Sequence, residues 1–229
     1  MRTILAIETS SELASVALLH NGSTFAHEAA GVQTHSQTVL PLVQTLLTQA
    51  GIALAQCDAL AFGAGPGSFT GVRTACGVIQ GLAFGAGLPV VPVVTFQAAA
   101  QACRDLSGAA DVLVVLDARM EEVYWAQYRY QDGWQTVIAP TLSAPSDVAP
   151  EGAVVACGNG LSAYPSLFDK ALLSHGSHPD VMPHAIQIAQ LAQSEFAAGR
   201  TVHARDAQPI YLRNKVAFTT AERMARAGT

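Results

Sequence analysis

The sequence predicts an α/β protein of two related lobes, each a sheet with helices packed against it. Short apolar strand-like runs alternate with helix-periodic stretches along all 229 residues. The opening unit also recurs: Leu5-Ala6-Ile7-Glu8 and Val114-Val115-Leu116-Asp117 each end an apolar run in an acid, and a two-stranded hairpin follows each. Half of the residues are apolar, 13% are charged and the mean hydropathy is +0.30. That composition excludes disorder and coiled coil, which need few apolar or many charged residues.

Taken in order, 2–8 alternates as a half-buried strand. Residues 13–20 and 23–29 bracket Asn21-Gly22, the pair best suited to the two positive-φ positions of a type I′ turn. From Thr34 to Ala50, Val39, Leu42, Val43, Leu46 and Leu47 recur at three- and four-residue spacing, with Thr34 as cap and Gly51 as stop. A short strand at 59–62 runs into a glycine-rich loop at 63–71, a helix at 72–84, a buried strand at 90–94 and a helix at 96–104. The second copy starts with a strand at 112–117 and a hairpin at 123–130 and 134–138 around Asp132-Gly133. Residues 139–152 read as loop, 153–157 as a strand entering Gly158-Asn159-Gly160, and 183–196 as a helix with Pro near its start.

The formal charge is −5, but it is uneven: residues 200–229 carry six Lys and Arg against Asp206 and Glu222. Only that end can attract a polyanion, so the chain is a poor stand-alone nucleic-acid binder. Cys57, Cys76, Cys103 and Cys157 have no ligand spacing and read as reduced core thiols. The start lacks the basic and apolar regions of a signal peptide, which predicts a cytoplasmic protein. Residues 74–103 carry no charge, but Gly85, Gly87, Pro89 and Pro92 interrupt them; they read as helix, turn and buried strand, and no membrane association is expected.

The chemistry is sparse. Gly65-Pro66-Gly67-Ser68-Phe69-Thr70-Gly71 leaves a strand and enters a helix, where backbone N–H groups can cradle an anion. It lacks the Lys-Ser/Thr end of a P-loop and the distal acid of a dinucleotide fingerprint, so the glycines can equally serve tight turning and packing. Glu8 and Asp117 at equivalent strand ends are either an acid pair across a cleft, holding Mg²⁺ on a nucleotide, or turn-ordering groups. His175, His178 and His184 lie in a Gly/Ser/Pro stretch without the rigid helical spacing of a metal site.

Several stretches together resemble one family, TsaB (also called YeaZ). They are Ile4 to Ser10, the His35-Ser36 helix start with Leu40-Pro41, Gly65 to Arg73, Leu116-Asp117-Ala118-Arg119 through Glu122-Val123-Tyr124, Gly158-Asn159-Gly160, and Pro209 to Ala217. Glu8 and Asn214 each stand where the family commonly has Asp. The resemblance implies the two-lobe actin-like, Hsp70-like, sugar-kinase-like (ASKHA) fold, with an N-terminal lobe at 1–105, a C-terminal lobe at 106–211 and a tail at 212–229 that can pack back on the first lobe. It implies a non-catalytic scaffold in tRNA N6-threonylcarbamoyladenosine synthesis that pairs with the catalytic paralogue TsaD, enables recruitment of the ATPase TsaE, forms a homodimer when alone and meets tRNA only through the complex.

In TsaD the strand after the glycine loop leads to His-x-x-x-His, which binds a metal. Here that run is Thr95-Phe96-Gln97-Ala98-Ala99, and neither Thr95 nor Ala99 offers an imidazole. No catalytic residue, resident metal or intrinsic cofactor is therefore expected, and the peptidase-like label once attached to the family has nothing to activate water. The predicted partner face lies on two first-lobe helices, with Ser36, Val39, Leu40 and Val43 on one and Thr74, Gly77, Val78 and Gly81 on the other, where small residues permit close approach. Glu8, Thr9, Ser10, Asp117, Asn159 and Gly160 are candidate contacts for a nucleotide, ATP or ADP, at the complex interface. The competing reading is a small-molecule phosphotransferase or ATPase of the same fold using those residues, though cations other than Arg119 are lacking there. A third is RNA contact through the basic residues 200–229.

Overall fold

The computed structural model describes residues 2–29 and 35–212. Two five-stranded sheets of identical topology carry the two copies of the repeat. In the first, β1 (Ile4–Glu8) pairs antiparallel with β2 (Ala14–His20), and β2 with β3 (Ser23–Ala29). Asn21 and Gly22 make the hairpin turn at φ 49° and 80°, as their types require. After α1 (His35–Ala50), β4 (Ala59–Gly65) joins β1 in parallel; after α2 (Phe69–Ala86), β5 (Val90–Val94) joins β4. The order β3-β2-β1-β4-β5 repeats in the second sheet as β8-β7-β6-β9-β10, built from Trp134–Ser143, Val123–Tyr130, Asp111–Asp117, Val155–Cys157 and Ser177–His178. Glu8 ends β1 and Asp117 ends β6, so the duplication read from the sequence is real in space.

The alternation of β1 divides the first core. Leu5 and Ile7 pack with Val16, Leu18, Val39, Val43, Leu46 and Ile79 beneath α1 and α2. Ile4 and Ala6 face the other way, onto Ala185, Ile188 and Ala189 of α5 (Ala185–Ala197). Between the lobes lies α3 (Thr95–Ser107), which gives Ala98 to the first-sheet core and Phe96, Ala99, Ala100 and Cys103 to the second. The uncharged run 74–103 is thus α2, β5 and α3, and among the described residues no helix is long and apolar enough to cross a membrane. All four cysteines are buried free thiols.

Several boundaries differ from the sequence reading. β8 continues through 139–143, where alternating burial was obscured by Pro140 and a register shift against β7. The helix expected from Pro183 begins at Ala185, and His184 caps it by accepting the Ile186 N–H on Nδ1. The residue 105/106 boundary falls inside α3. Residues assigned to the second lobe return to the first: α5 covers its sheet, Val202 bridges Val90, Ala207 enters its core, and the Ile210 N–H donates to the Ala64 carbonyl at 2.7 Å. The cap assigned to Thr34 and the tail beyond Leu212 lie outside the described residues.

Candidate functional site

The C-terminal ends of β1 and β6 face each other across a cleft of about 390 Å³ between the lobes. Ser10, His35 and Phe69 line it from the first lobe and Met120 and Asn159 from the second, with Tyr211 also in its lining.

On the first-lobe side the glycine loop, read from the sequence as either an anion cradle or a tight packing turn, packs against the chain itself. The Ser68 N–H donates to the Ser10 carbonyl at 2.7 Å, and the Gly65 N–H donates to Thr95 Oγ1 at 2.9 Å. Thr9 Oγ1 donates to the Gly71 carbonyl at 2.7 Å. A Cβ on Gly71 would stand 1.8 Å from the Thr9 carbonyl oxygen, and one on Gly67 would stand 2.6 Å from Ser10 Cβ. The glycines are therefore there for close approach of two backbone segments, the packing alternative, and Thr9 and Ser10 spend hydrogen bonds on that seam.

Glu8 lies beneath the seam, fully buried. Its Oε1 accepts the Ser10 N–H, while Oε2 lies against Gly63 with no partner among the described residues. Burial raises its pKa, and opposing hydrogen bonds from Ser10, Thr95 and Thr9 do not compensate. The acid pair across the cleft is not formed, because Glu8 does not reach the cleft surface while Asp117 does.

Asp117 orders its own turn. Its Oδ1 accepts the Arg119 N–H at 2.8 Å and the Tyr164 hydroxyl at 2.9 Å, and Oδ2 pairs with the Arg119 guanidinium at 2.9 Å. The turn needs holding, since Arg119, Met120 and Glu121 all sit at left-handed φ of 62°, 59° and 59°, costly for non-glycine residues. Arg119 also reaches Glu12 of the first lobe at 3.2 Å. Asn159 Oδ1 accepts the Asp117 N–H at 3.0 Å, and Gly160 has no room for a side chain against Val115. Thr9, Asp117 and Asn159 thus each hold structural partners, while Glu8 Oε2 and Ser10 Oγ are buried with none among the described residues. Sequence reasoning missed Tyr164, which meets Asp117 only because α4 (Gly160–Ala163) follows Asn159.

The helical face is divided. Val39 and Val43 are buried in the first core and cannot meet a partner; the apolar period that predicts α1 is its inward stripe. Ser36, Leu40, Gly77 and Gly81 are exposed, and Thr74 and Val78 are half-buried. Cβ atoms on Gly77, Gly81 and Gly85 would meet nothing within 4 Å. Phe84, between the last two glycines and not anticipated from the sequence, is 82% exposed. No Asp, Glu or Lys occurs in either helix, and their one Arg, Arg73, lies 3.3 Å from the centre of the Phe69 ring. His184 bonds Glu28 at 3.2 Å, and among the described residues no three His, Cys, Asp or Glu side chains converge as a metal site would require.

A family model described as TsaD, tRNA N6-adenosine threonylcarbamoyltransferase, matches residues 20–222. The chain is 40% identical over 222 residues to the tRNA threonylcarbamoyladenosine biosynthesis protein TsaB of Escherichia coli (strain K12), covering 94% of this chain and 96% of that one. It is 39% identical to the protein of the same name from Haemophilus influenzae, covering 94% and 95%. Among solved structures, YeaZ from Pseudomonas aeruginosa superposes with a TM-score of 0.86 at 40% identity, covering 93% of this chain and all of that one.

Proposed function

Because the chain belongs to the TsaB (YeaZ) family of tRNA threonylcarbamoyladenosine biosynthesis proteins, we propose that it serves that pathway in the cytoplasm as a non-catalytic scaffold, pairing through the outer face of α1 and α2. The carrying observation is that face: two adjacent exposed helix surfaces with one charge between them, a run of open glycines and a protruding Phe84. Interface centres are depleted of charge and enriched in aromatic residues, while an ordinary solvated helix face carries charge. The partner is a TsaD-type catalytic subunit, with a second copy of this chain taking its place when the subunit is absent. The pair then recruits a TsaE-type ATPase, and tRNA meets the assembly rather than this chain alone.

The non-catalytic reading is supported by how the candidate groups are spent. Thr95 accepts from Gly65, Ala99 is packed in the second core, Glu8 is sealed beneath the glycine seam and Asp117 holds its turn through three contacts. Sedimentation of the pure chain, alone and with its TsaD-type subunit titrated in, tests the proposal. A self-associated species giving way to a one-to-one heterodimer is expected; a chain that stays unpaired at high concentration overturns it.

A further inference from the structure

One ridge of α2 is exposed along its whole length. Phe69, Arg73, Gly77, Gly81 and Gly85 follow one another at four-residue spacing, and all five are exposed, so they share one row of the helix surface. The glycines leave the middle of the row flat, and Arg73 is its one charged group. The Arg73 guanidinium lies 3.3 Å from the centre of the Phe69 ring and 5.0 Å from that of Tyr211, and the two rings are 5.8 Å apart. Packing on aromatic rings restricts the side chain without using its N–H donors.

In this Arg73 differs from the other described arginines. Arg2, Arg119, Arg129, Arg200 and Arg205 each pair with a carboxylate, and Arg104 donates to the Ala109 carbonyl at 2.9 Å. Arg73 has ring partners alone, with no carboxylate or carbonyl oxygen among the described residues. A pre-ordered group with all its donors unspent is suited to an acceptor from outside. Arginine beside tyrosine is also the composition of interface hot spots.

The source of that acceptor separates the two partners of the scaffold reading. Neither α1 nor α2 contains Asp or Glu. A second copy seated on this face brings the same two helices to it, so the guanidinium is covered with no carboxylate from them, which is costly. A different subunit is free to place one there.

We propose that Arg73 sets the specificity of the α1–α2 face, pairing with an Asp or Glu side chain of the catalytic subunit and disfavouring a second copy of this chain. The inference rests on the scaffold reading and names the chemistry by which the face selects its partner. One unpaired charge then serves both attraction and rejection, since specificity is a difference of two affinities.

Sedimentation of full-length Arg73→Gln, alone and with the TsaD-type subunit, tests this against the parent. The heterodimer should weaken by about tenfold or more, while self-association holds or tightens. Equal weakening of both species, or an unchanged heterodimer, overturns the proposal. Arg73→Lys reads the contact directly: a water-soluble carbodiimide should couple position 73 to an Asp or Glu of the subunit as an amide, the reagent taking up the water released. Mass spectrometry that finds no such link, or finds it between two copies of this chain, overturns the proposal as well. A parent that forms no heterodimer overturns the scaffold reading and this inference together, whereas a parent and an Arg73→Gln variant that pair equally well overturn this inference alone.

Discussion

Glu8 and Gly63 touch with no space between them: a Cβ built on Gly63 would lie 1.6 Å from Glu8 Oε2. The carboxylate is enclosed and Gly63 lies in β4, so neither can move without opening the sheet. Gly63→Ala should therefore cost about 1–3 kcal/mol in urea unfolding, the overpacking range. Pairing it with Glu8→Asp, which withdraws the carboxylate by one methylene, should recover part of the loss. A Gly63→Ala protein as stable as the parent would show that the carboxylate does not fill this space.

The same burial sets a pH dependence. Glu8 has a folded pKa raised above its ordinary 4.5 because burial disfavours the charged form. The folded state then holds its proton over a range where the unfolded state has lost it. Its contribution is complete below the unfolded pKa and is lost as pH rises through the folded one. Glu8→Gln keeps the shape and removes the titration. Its melting temperature relative to the parent should rise as the pH climbs above the ordinary glutamate pKa and level off once the folded pKa is passed; a constant difference would show that the folded pKa is not raised.

The fold was legible where local chemistry and topology coincide. Asn21-Gly22 demands its turn, and the paired acids at Glu8 and Asp117 mark equivalent strand ends because the second sheet repeats the first. Periodicity fixes that α1 has an apolar stripe but not what covers it, so Val39 and Val43, which belong to the core, were placed on the partner face. Likewise, nothing local in 185–197 states which sheet it covers; that follows from a return across the molecule to Ile4 and Ala6. The glycine loop carried two meanings in sequence, cradle or seam. Only the proximity of Thr9 and Ser10, some sixty residues away in the chain, distinguishes them.

On α2, stability and pairing should separate at one residue. Gly81 is exposed mid-helix, and an added Cβ would meet nothing. Gly81→Ala should therefore stabilise the monomer fold by roughly 0.5–1 kcal/mol through reduced backbone freedom. Gly81→Glu should keep the circular dichroism spectrum and thermal transition but abolish the self-associated species and the heterodimer, because it buries a charge at the proposed contact. Val43→Ala, facing the core, should do the reverse, losing about 1–3 kcal/mol while the folded fraction still pairs. A folded Gly81→Glu chain that pairs normally would move the interface elsewhere.

Asp117 provides the last separation, between an acid that serves chemistry and one that holds a turn. Its carboxylate oxygens have three partners, the Arg119 N–H, the Arg119 guanidinium and the Tyr164 hydroxyl. Tyr164→Phe removes one hydrogen bond to a charged acceptor and should cost about 1.5–3 kcal/mol. Asp117→Ala should cost at least as much, and the double variant should show the two losses coupled rather than additive. At Glu121, φ is 59°, so Glu121→Gly should be neutral or stabilising by up to about 1 kcal/mol, whereas Glu121→Val, β-branched in a left-handed position, should destabilise. A cation site at Asp117 would make a different prediction. Mg²⁺ would raise the parent's melting temperature and the rise would vanish in Asp117→Ala, since a bound ion stabilises only the state that binds it. With the carboxylate already satisfied, millimolar Mg²⁺ should leave the parent's transition unmoved.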